Sequence, residues 1–182
     1  YKVGMRNSNF SRGSIHYVGS EIRAVILNKM HLATGDTVCV VSGESIAVES
    51  AILAPEGTVI AVEYNQLDRK TMEENAHQFG LNNIAIIDHV DDKTMADLPI
   101  PTLAFLVASA SLEQEMDCLL RLNPHMEFVV YTLDFRTAAA LPALFEQRGI
   151  AETEVIQIAV SKLTAKHTFE AEPAPWIVSG RA

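Results

Sequence analysis

Two acidic side chains and a short run of small residues carry the clearest chemistry in this sequence. The run Val40-Val41-Ser42-Gly43-Glu44-Ser45 follows an apolar stretch and precedes a helical pattern, and Glu63 closes the next apolar stretch about 20 residues after the turn. A glycine turn at a helix N-terminus lets a ligand approach the backbone, and an acid closing the second strand can accept both hydroxyl hydrogens of a ribose. This is the chemistry of a nucleoside-binding α/β domain. A strand also commonly ends in Glu or Asp where the chain reaches water, so Glu63 by itself fits both descriptions.

A second set of residues suits anion recognition. Residues 1–30 hold five basic side chains against one acidic, and residues 161–182 hold three against two, while the middle carries 6 basic and 20 acidic residues. The ends are therefore basic and the body acidic, within a net charge of -9. One reading is that charged ends are simply solvated. The other is that both ends fold over one site and receive a polyanionic small molecule, held bidentately by arginine. Arg6, Arg12 and Arg23 are the candidates from the first end, with Lys162, Lys166 and His167 from the far end.

The elements that must position these groups follow from periodicity. Short apolar runs alternate with helical segments between residues 36 and 131, the pattern of a layered α/β sheet. Strands are predicted at Thr37 to Ser42, Thr58 to Glu63, Asn83 to Asp88, Thr102 to Val107 and Glu127 to Tyr131. The first four lack strict alternation, as suits strands covered on both faces. Helices are predicted at Ser20 to Met30, with Ser20 as N-cap, and at Ile46 to Leu53, Asn65 to Phe79, Leu112 to Leu122 and Thr137 to Arg148. Gly80 and Gly149 stand where left-handed C-cap residues are wanted. Beyond Gly149, Glu154 to Val160 and Trp176 to Ser179 read as a final antiparallel pair. The 182 residues make one domain: an extension over the site (1–19), a Rossmann-like core (20–149) and C-terminal antiparallel strands (150–182).

Composition excludes several classes. With 48% hydrophobic residues the chain can bury a core, and its negative charge makes nucleic acid and anionic membranes poor partners. Cys39 and Cys118 lack the spacing of a metal motif or a disulfide framework, so no metal is expected and a reducing cytoplasm fits best. No apolar run reaches the roughly 18 residues of a membrane span, and the first ten residues are too polar for a signal peptide. The sequence starts at Tyr1 rather than at methionine, which fits a domain preceded by another.

The segment Gly4-Met5-Arg6-Asn7-Ser8-Asn9-Phe10-Ser11-Arg12-Gly13 resembles the Gly-Ile-Pro-Asp-x-x-Phe-x-Arg-Gly start of the decarboxylating precorrin methyltransferases, the CbiT type, also found as the second half of precorrin-6Y methylases. Glu21 to Val25, Ala51 to Gly57, Glu74-Asn75-Ala76 through Phe79-Gly80, Leu98-Pro99, and Pro173 through Gly180 are similar to the same family in the same order. The resemblance implies a seven-stranded class I methyltransferase fold, S-adenosylmethionine as cofactor, and a precorrin-6B type macrocycle that is methylated on a meso carbon and loses carbon dioxide from an acetate. It also implies a homo-oligomer, commonly a tetramer, in cobalamin synthesis. The cofactor positions it marks are Val18, Ser42, Gly43, Glu44, Ser45, Glu63 and Asp91. His89 and His167 are the candidate proton donors, because imidazole titrates near neutrality.

The departures from the family cluster on the ligand face. Its Gly-x-Gly-x-Gly loop is reduced to Gly43, and Val40 stands where an acid closes the first strand. Val18 replaces the threonine before the first helix, His89-Val90-Asp91-Asp92 replaces Gly-Asp-Ala-Pro, Val107 to Ser111 replaces a glycine-rich turn, and Tyr131 replaces an asparagine. Glu44 could point a carboxylate at the amino group of the cofactor, or fill the space that the cofactor needs. Three readings follow: an active methyltransferase with a modified cofactor mode, a methyltransferase-fold module that binds a tetrapyrrole or partner without catalysis, and a different nucleoside-binding enzyme.

Overall fold

A computed structural model describes residues 5, 6 and 18–182. The chain runs α1 (Ser20–Met30), β1 (Thr37–Val41), α2 (Glu44–Leu53), β2 (Thr58–Val62), α3 (Gln66–Gln78), β3 (Ile84–Ile87), α4 (Asp92–Met95), β4 (Leu103–Val107), α5 (Leu112–Leu122), β5 (Glu127–Thr132) and α6 (Phe135–Gln147). It ends with β6 (Ala151–Gln157), the hairpin β7 (Ser161–Leu163) and β8 (Phe169–Ala171), and β9 (Trp176–Arg181). The seven-stranded sheet has the order β3-β2-β1-β4-β5-β9-β6. Strands β1 to β5 pair in parallel, and β9 lies antiparallel between β5 and β6.

The two sheet faces explain the unbroken apolar runs. In β1, Val38 and Val40 pack with α1, α2 and α3, whereas Cys39 and Val41 pack with α5 and α6 on the other face. Neither face meets water, so no polar alternation survives. Helix α2 is buried from Glu44 to Ala51 and therefore lacks an amphipathic stripe. Both cysteines are free and buried, and none of the described helices is long and apolar enough to cross a membrane.

Sequence and structure differ in several details. Strand β6 lies at Ala151–Gln157 rather than at Glu154 to Val160, and α2 and α6 begin two residues earlier than the pattern predicts, at Glu44 and Phe135. Gly19, with extended backbone, is the N-cap of α1, and Ser20 is already its first helical residue. The four-residue α4 is too short to register as a periodicity; a capping box formed by Asp91 and Thr94 supports it. The polar stretch before Pro173 folds into the β7–β8 hairpin, whose exposed strands carry no core-facing pattern. Gly80 and Gly149 do adopt positive φ, +64° and +70°, just beyond α3 and α6.

After β1 the chain builds β2 and β3 on one side and then crosses to β4 and β5 on the other. Strand order thus reverses between β1 and β4. The carboxyl ends of those strands are where an open α/β sheet leaves a crevice.

Candidate functional site

The turn after β1 is tightly packed on the sheet. Ser42 takes a left-handed φ of 57°, a conformation that disfavours any side chain, while its N–H donates to the Val62 carbonyl at 2.9 Å and holds the turn on β2. Gly43 then starts α2. A Cβ placed on Gly43 would stand 2.8 Å from the Phe105 ring and 2.9 Å from Val40 Cγ1. Val40, at the position of the family's acid, thus lines the wall against which the turn packs. Replacing Gly43 by Ala is expected to destabilise the chain by about 1–3 kcal/mol, as overpacking does; a denaturant melt of the variant would check it.

Three carboxylates converge beside this turn from three elements. Glu63 follows β2, Glu44 opens α2 and Asp68 lies in the first turn of α3; they are 1%, 4% and 2% exposed. Glu44 Oε1 accepts a 3.1 Å hydrogen bond from Asn75 Nδ2. Glu44 Oε2 and both carboxylate oxygens of Glu63 are buried without a hydrogen-bond partner. Burial pushes the Glu63 carboxyl up to about 8, with the charges of Glu44 and Asp68 adding to it. Glu44 is pushed up to about 7 by burial and by Asp68, against the opposing pull of Asn75. Arg69 donates to the main-chain carbonyls of Glu63 and Tyr64, at 2.9 and 3.2 Å, and so fixes the strand end.

On the other face of the sheet a further buried acid, Glu115, meets the same strand end. Tyr64 Oη donates to Glu115 Oε2, while Glu115 Oε1 has no partner and the residue is fully buried. Burial raises the Glu115 carboxyl, and burial together with this hydrogen bond raises the Tyr64 phenol. Sequence marks none of Asp68, Tyr64 and Glu115 as site residues, and Asn75 only as part of the segment Glu74-Asn75-Ala76. Asp68 and Glu115 sit in first helical turns, where an acid is ordinary because it complements the helix dipole.

Ser42, Gly43, Glu44, Ser45 and Glu63 therefore come together. Val18 is half-buried, packed against the α1–α2 core, and its carbonyl accepts from Arg23 Nη1 at 3.3 Å. Asp91, past the end of β3, is committed to capping α4: Oδ1 accepts from the Thr94 N–H at 2.6 Å. Its Oδ2 lies 2.6 Å from His89 Nε2, and His89 Nδ1 lies 2.6 Å from Asp88. The two carboxylates raise the His89 imidazole and hold it cationic to higher pH, which makes it a poorer acid at neutrality.

The basic candidates separate. Arg6 is exposed, and Arg12 lies outside the described residues. Arg23 is fully buried, its Nε donating to Glu49 Oε1 at 2.7 Å, so its charge is used inside the protein rather than offered to a ligand. The 0% exposure follows from its place on the core face of α1, beside Ile22 and Ile26. Lys162, half-exposed on the hairpin, bonds Glu21 at 2.9 Å and approaches Glu172 at 3.8 Å, which ties the hairpin to the start of α1. Lys166 and His167 are exposed in the tight turn between β7 and β8, where His167 has a φ of 60° and its N–H donates to the Thr164 carbonyl at 3.0 Å. Among the described residues no group of three or more His, Cys, Asp or Glu side chains is disposed to hold a metal ion.

Solved structures share this architecture. A precorrin-6Y C5,15-methyltransferase from Geobacter metallireducens GS-15 superposes with a TM-score of 0.88 at 22% identity, over 98% of this chain and 96% of that one. The C-terminal domain of precorrin-6Y C5,15-methyltransferase from Rhodobacter capsulatus gives 0.78 at 22%, over 98% and 97%. A precorrin-8W decarboxylase from Methanobacterium thermoautotrophicum gives 0.81 at 16%, over 97% and 98%. At these identities the likeness establishes the fold: a class I methyltransferase sheet with its C-terminal antiparallel pair. No curated protein matches the sequence. The family profile described as "Precorrin methyltransferase domain" matches residues 15–175, most of the chain, and the chain accordingly belongs to the precorrin methyltransferase domain family.

Proposed function

We propose that the chain is an S-adenosylmethionine-dependent methyltransferase of cobalamin synthesis that methylates and decarboxylates a precorrin-6B type tetrapyrrole. The observation that carries the reading is Glu63, almost wholly buried at the end of β2 with two carboxylate oxygens that no described residue satisfies. Such groups are costly to bury, and two ribose hydroxyls are the donors that this position accepts in nucleoside-binding folds. The turn at Ser42 and Gly43 leads into the N-terminus of α2, whose free backbone N–H groups suit the carboxylate end of a ligand. These residues fit the adenosine and methionine parts of the cofactor.

When bound, S-adenosylmethionine supplies an electrophilic methyl group. The chain's own work is then to orient and to exclude water. Glu63 would hold the ribose, the Ser42–Gly43 turn would present backbone to the amino-acid end, and Tyr64, 44% exposed beside Glu63 and braced by Glu115, would border the adenosine. The acetates and propionates of the macrocycle suit Arg6, Arg12, Lys162 and Lys166. Lys162 is available because its ion pairs lie at the surface, where such pairs are weak and exchange with solvent.

Calorimetric titration with S-adenosylmethionine and S-adenosylhomocysteine tests the cofactor. Micromolar binding is expected, and Glu63→Ala should weaken it by about 1.5–3 kcal/mol, the range for a hydrogen bond to a charged group. A turnover assay on precorrin-6B, following methylated and decarboxylated product by mass, then tests the reaction. One observation favours the second reading, a methyltransferase-fold module without catalysis: the Phe105 ring and the buried Glu44 and Ser45 occupy the region where the family keeps glycines. No binding at millimolar cofactor, with tetrapyrrole binding retained, would establish that reading instead.

A further inference from the structure

The carboxylates beside the turn after β1 exceed what a ribose requires. Two ribose hydroxyls satisfy the two free oxygens of Glu63 and leave Glu44 Oε2, equally buried and unpartnered, without a donor. Around Glu44 stand Asp68 and Asn75 from α3, Glu63 from the end of β2, and the apolar Phe105 ring of β4 packed on the adjoining turn. One of these contacts is a neutral amide and the two titratable groups are acids. The field that these described groups set at Glu44 is therefore negative, and it is set within packed protein where screening by water and salt is weak. An added positive charge on a ligand gains energy there that a neutral ligand of the same shape does not.

Resting on the cofactor reading above, we propose that Glu44 is a specificity-determining residue, which makes the site prefer a cationic sulfonium nucleoside over the neutral thioether left after methyl transfer. The two ligands share the adenosine and the amino-acid end and differ by one charge at sulfur, so shape cannot separate them well. Charge can. Loss of the sulfonium removes the partner of the buried acid and favours departure of the used cofactor. In the free protein the Glu44 carboxyl, raised to about 7, is partly protonated at neutrality. Either ligand draws a proton from Glu63 when the ribose binds its carboxylate, but only the cationic ligand also lowers Glu44, so the sulfonium expels more protons than the thioether and its advantage grows as pH rises.

The test is calorimetric titration of the full chain with S-adenosylmethionine and with S-adenosylhomocysteine between pH 6 and 9, in two buffers of different ionisation enthalpy, for the wild type and Glu44→Gln. The affinity ratio of sulfonium to thioether is expected to rise about tenfold across this range in the wild type, with more protons released on binding the sulfonium than on binding the thioether. In Glu44→Gln the ratio should be flat with pH, while thioether affinity stays within about threefold of the wild type. If both ligands bind the wild type with a pH-independent ratio that Glu44→Gln leaves unchanged, the inference fails and the cofactor reading stands. If neither ligand binds the wild type, the cofactor reading fails and takes the inference with it. The wild-type pH series decides the matter even if the variant folds poorly.

Discussion

Replacing Arg23 by Ala is expected to cost about 3–5 kcal/mol of folding stability, the penalty for leaving one member of a buried ion pair alone. Arg23 and Glu49 are both fully buried, and their 2.7 Å contact joins α1 to α2. The guanidinium also donates to the carbonyls of Val18 and Met5, and Glu49 Oε1 accepts the Met5 N–H at 3.1 Å. The pair thus anchors Met5 and Val18 onto the helical layer. Domains are stable by only about 5–15 kcal/mol, so the loss would be visible as a large drop in urea midpoint with an unchanged slope. Arg23→Lys should recover little, because an ammonium cannot serve three acceptors in the planar fork of a guanidinium. Arg23→Met combined with Glu49→Leu should recover most of the loss, since an apolar pair leaves no charge stranded. A cost below about 1 kcal/mol for Arg23→Ala would mean that the pair is solvated, and would return Arg23 to the groups available for a macrocycle carboxylate.

Arg23 also shows where sequence reasoning reaches its limit. Its place in the run Glu21-Ile22-Arg23-Ala24-Val25 was legible, and so was the span of α1, Ser20–Met30, though its cap is Gly19 rather than Ser20. Whether an arginine on that helix faces solvent or core was not, because its acceptor Glu49 lies 26 residues away and a buried ion pair leaves no periodic trace. The parallel strands were legible for the opposite reason: burial on both faces demands continuous Val, Ile, Leu and Ala, and the five predicted strands agree with the observed ones to within a residue at either end. Glu63 could be found by its spacing from the turn. Asp68 and Asn75 could not, because their relation to Glu44 exists only once α3 is laid against α2. The β7–β8 hairpin escaped because both of its strands are exposed, and exposure removes the pattern by which strands are read.

The second large effect concerns Glu63, where stability and function should move in opposite directions. The ordinary glutamate value is 4.5, and in the folded chain Glu63 rises to about 8 and Glu44 to about 7. Below 4.5 both states hold the protons and nothing is lost. Between 4.5 and about 8 the unfolded chain releases protons that the folded chain keeps, so the folded state binds more protons and its stability must fall as pH rises. Above that range both states are ionised and the full cost of the buried charges is felt. The melting temperature of the ligand-free chain should accordingly decline from pH 5.5 to 8.5. His89, raised by its two carboxylate neighbours, loses its contribution in the same direction as pH rises. Glu63→Gln keeps the shape and removes the charge, so at pH 8.5 it should stabilise the ligand-free chain by about 2 kcal/mol, or ~4–8 °C for a domain of this size. The same variant should bind S-adenosylmethionine more weakly, since an amide offers one acceptor where the carboxylate offers two. A group whose removal strengthens the fold and weakens the ligand is held in place by function rather than by folding. A melting temperature that stays flat or climbs between pH 6 and 8.5 would show that the acids beside the turn already have partners in the free protein, and would remove the ground for placing a ribose on Glu63.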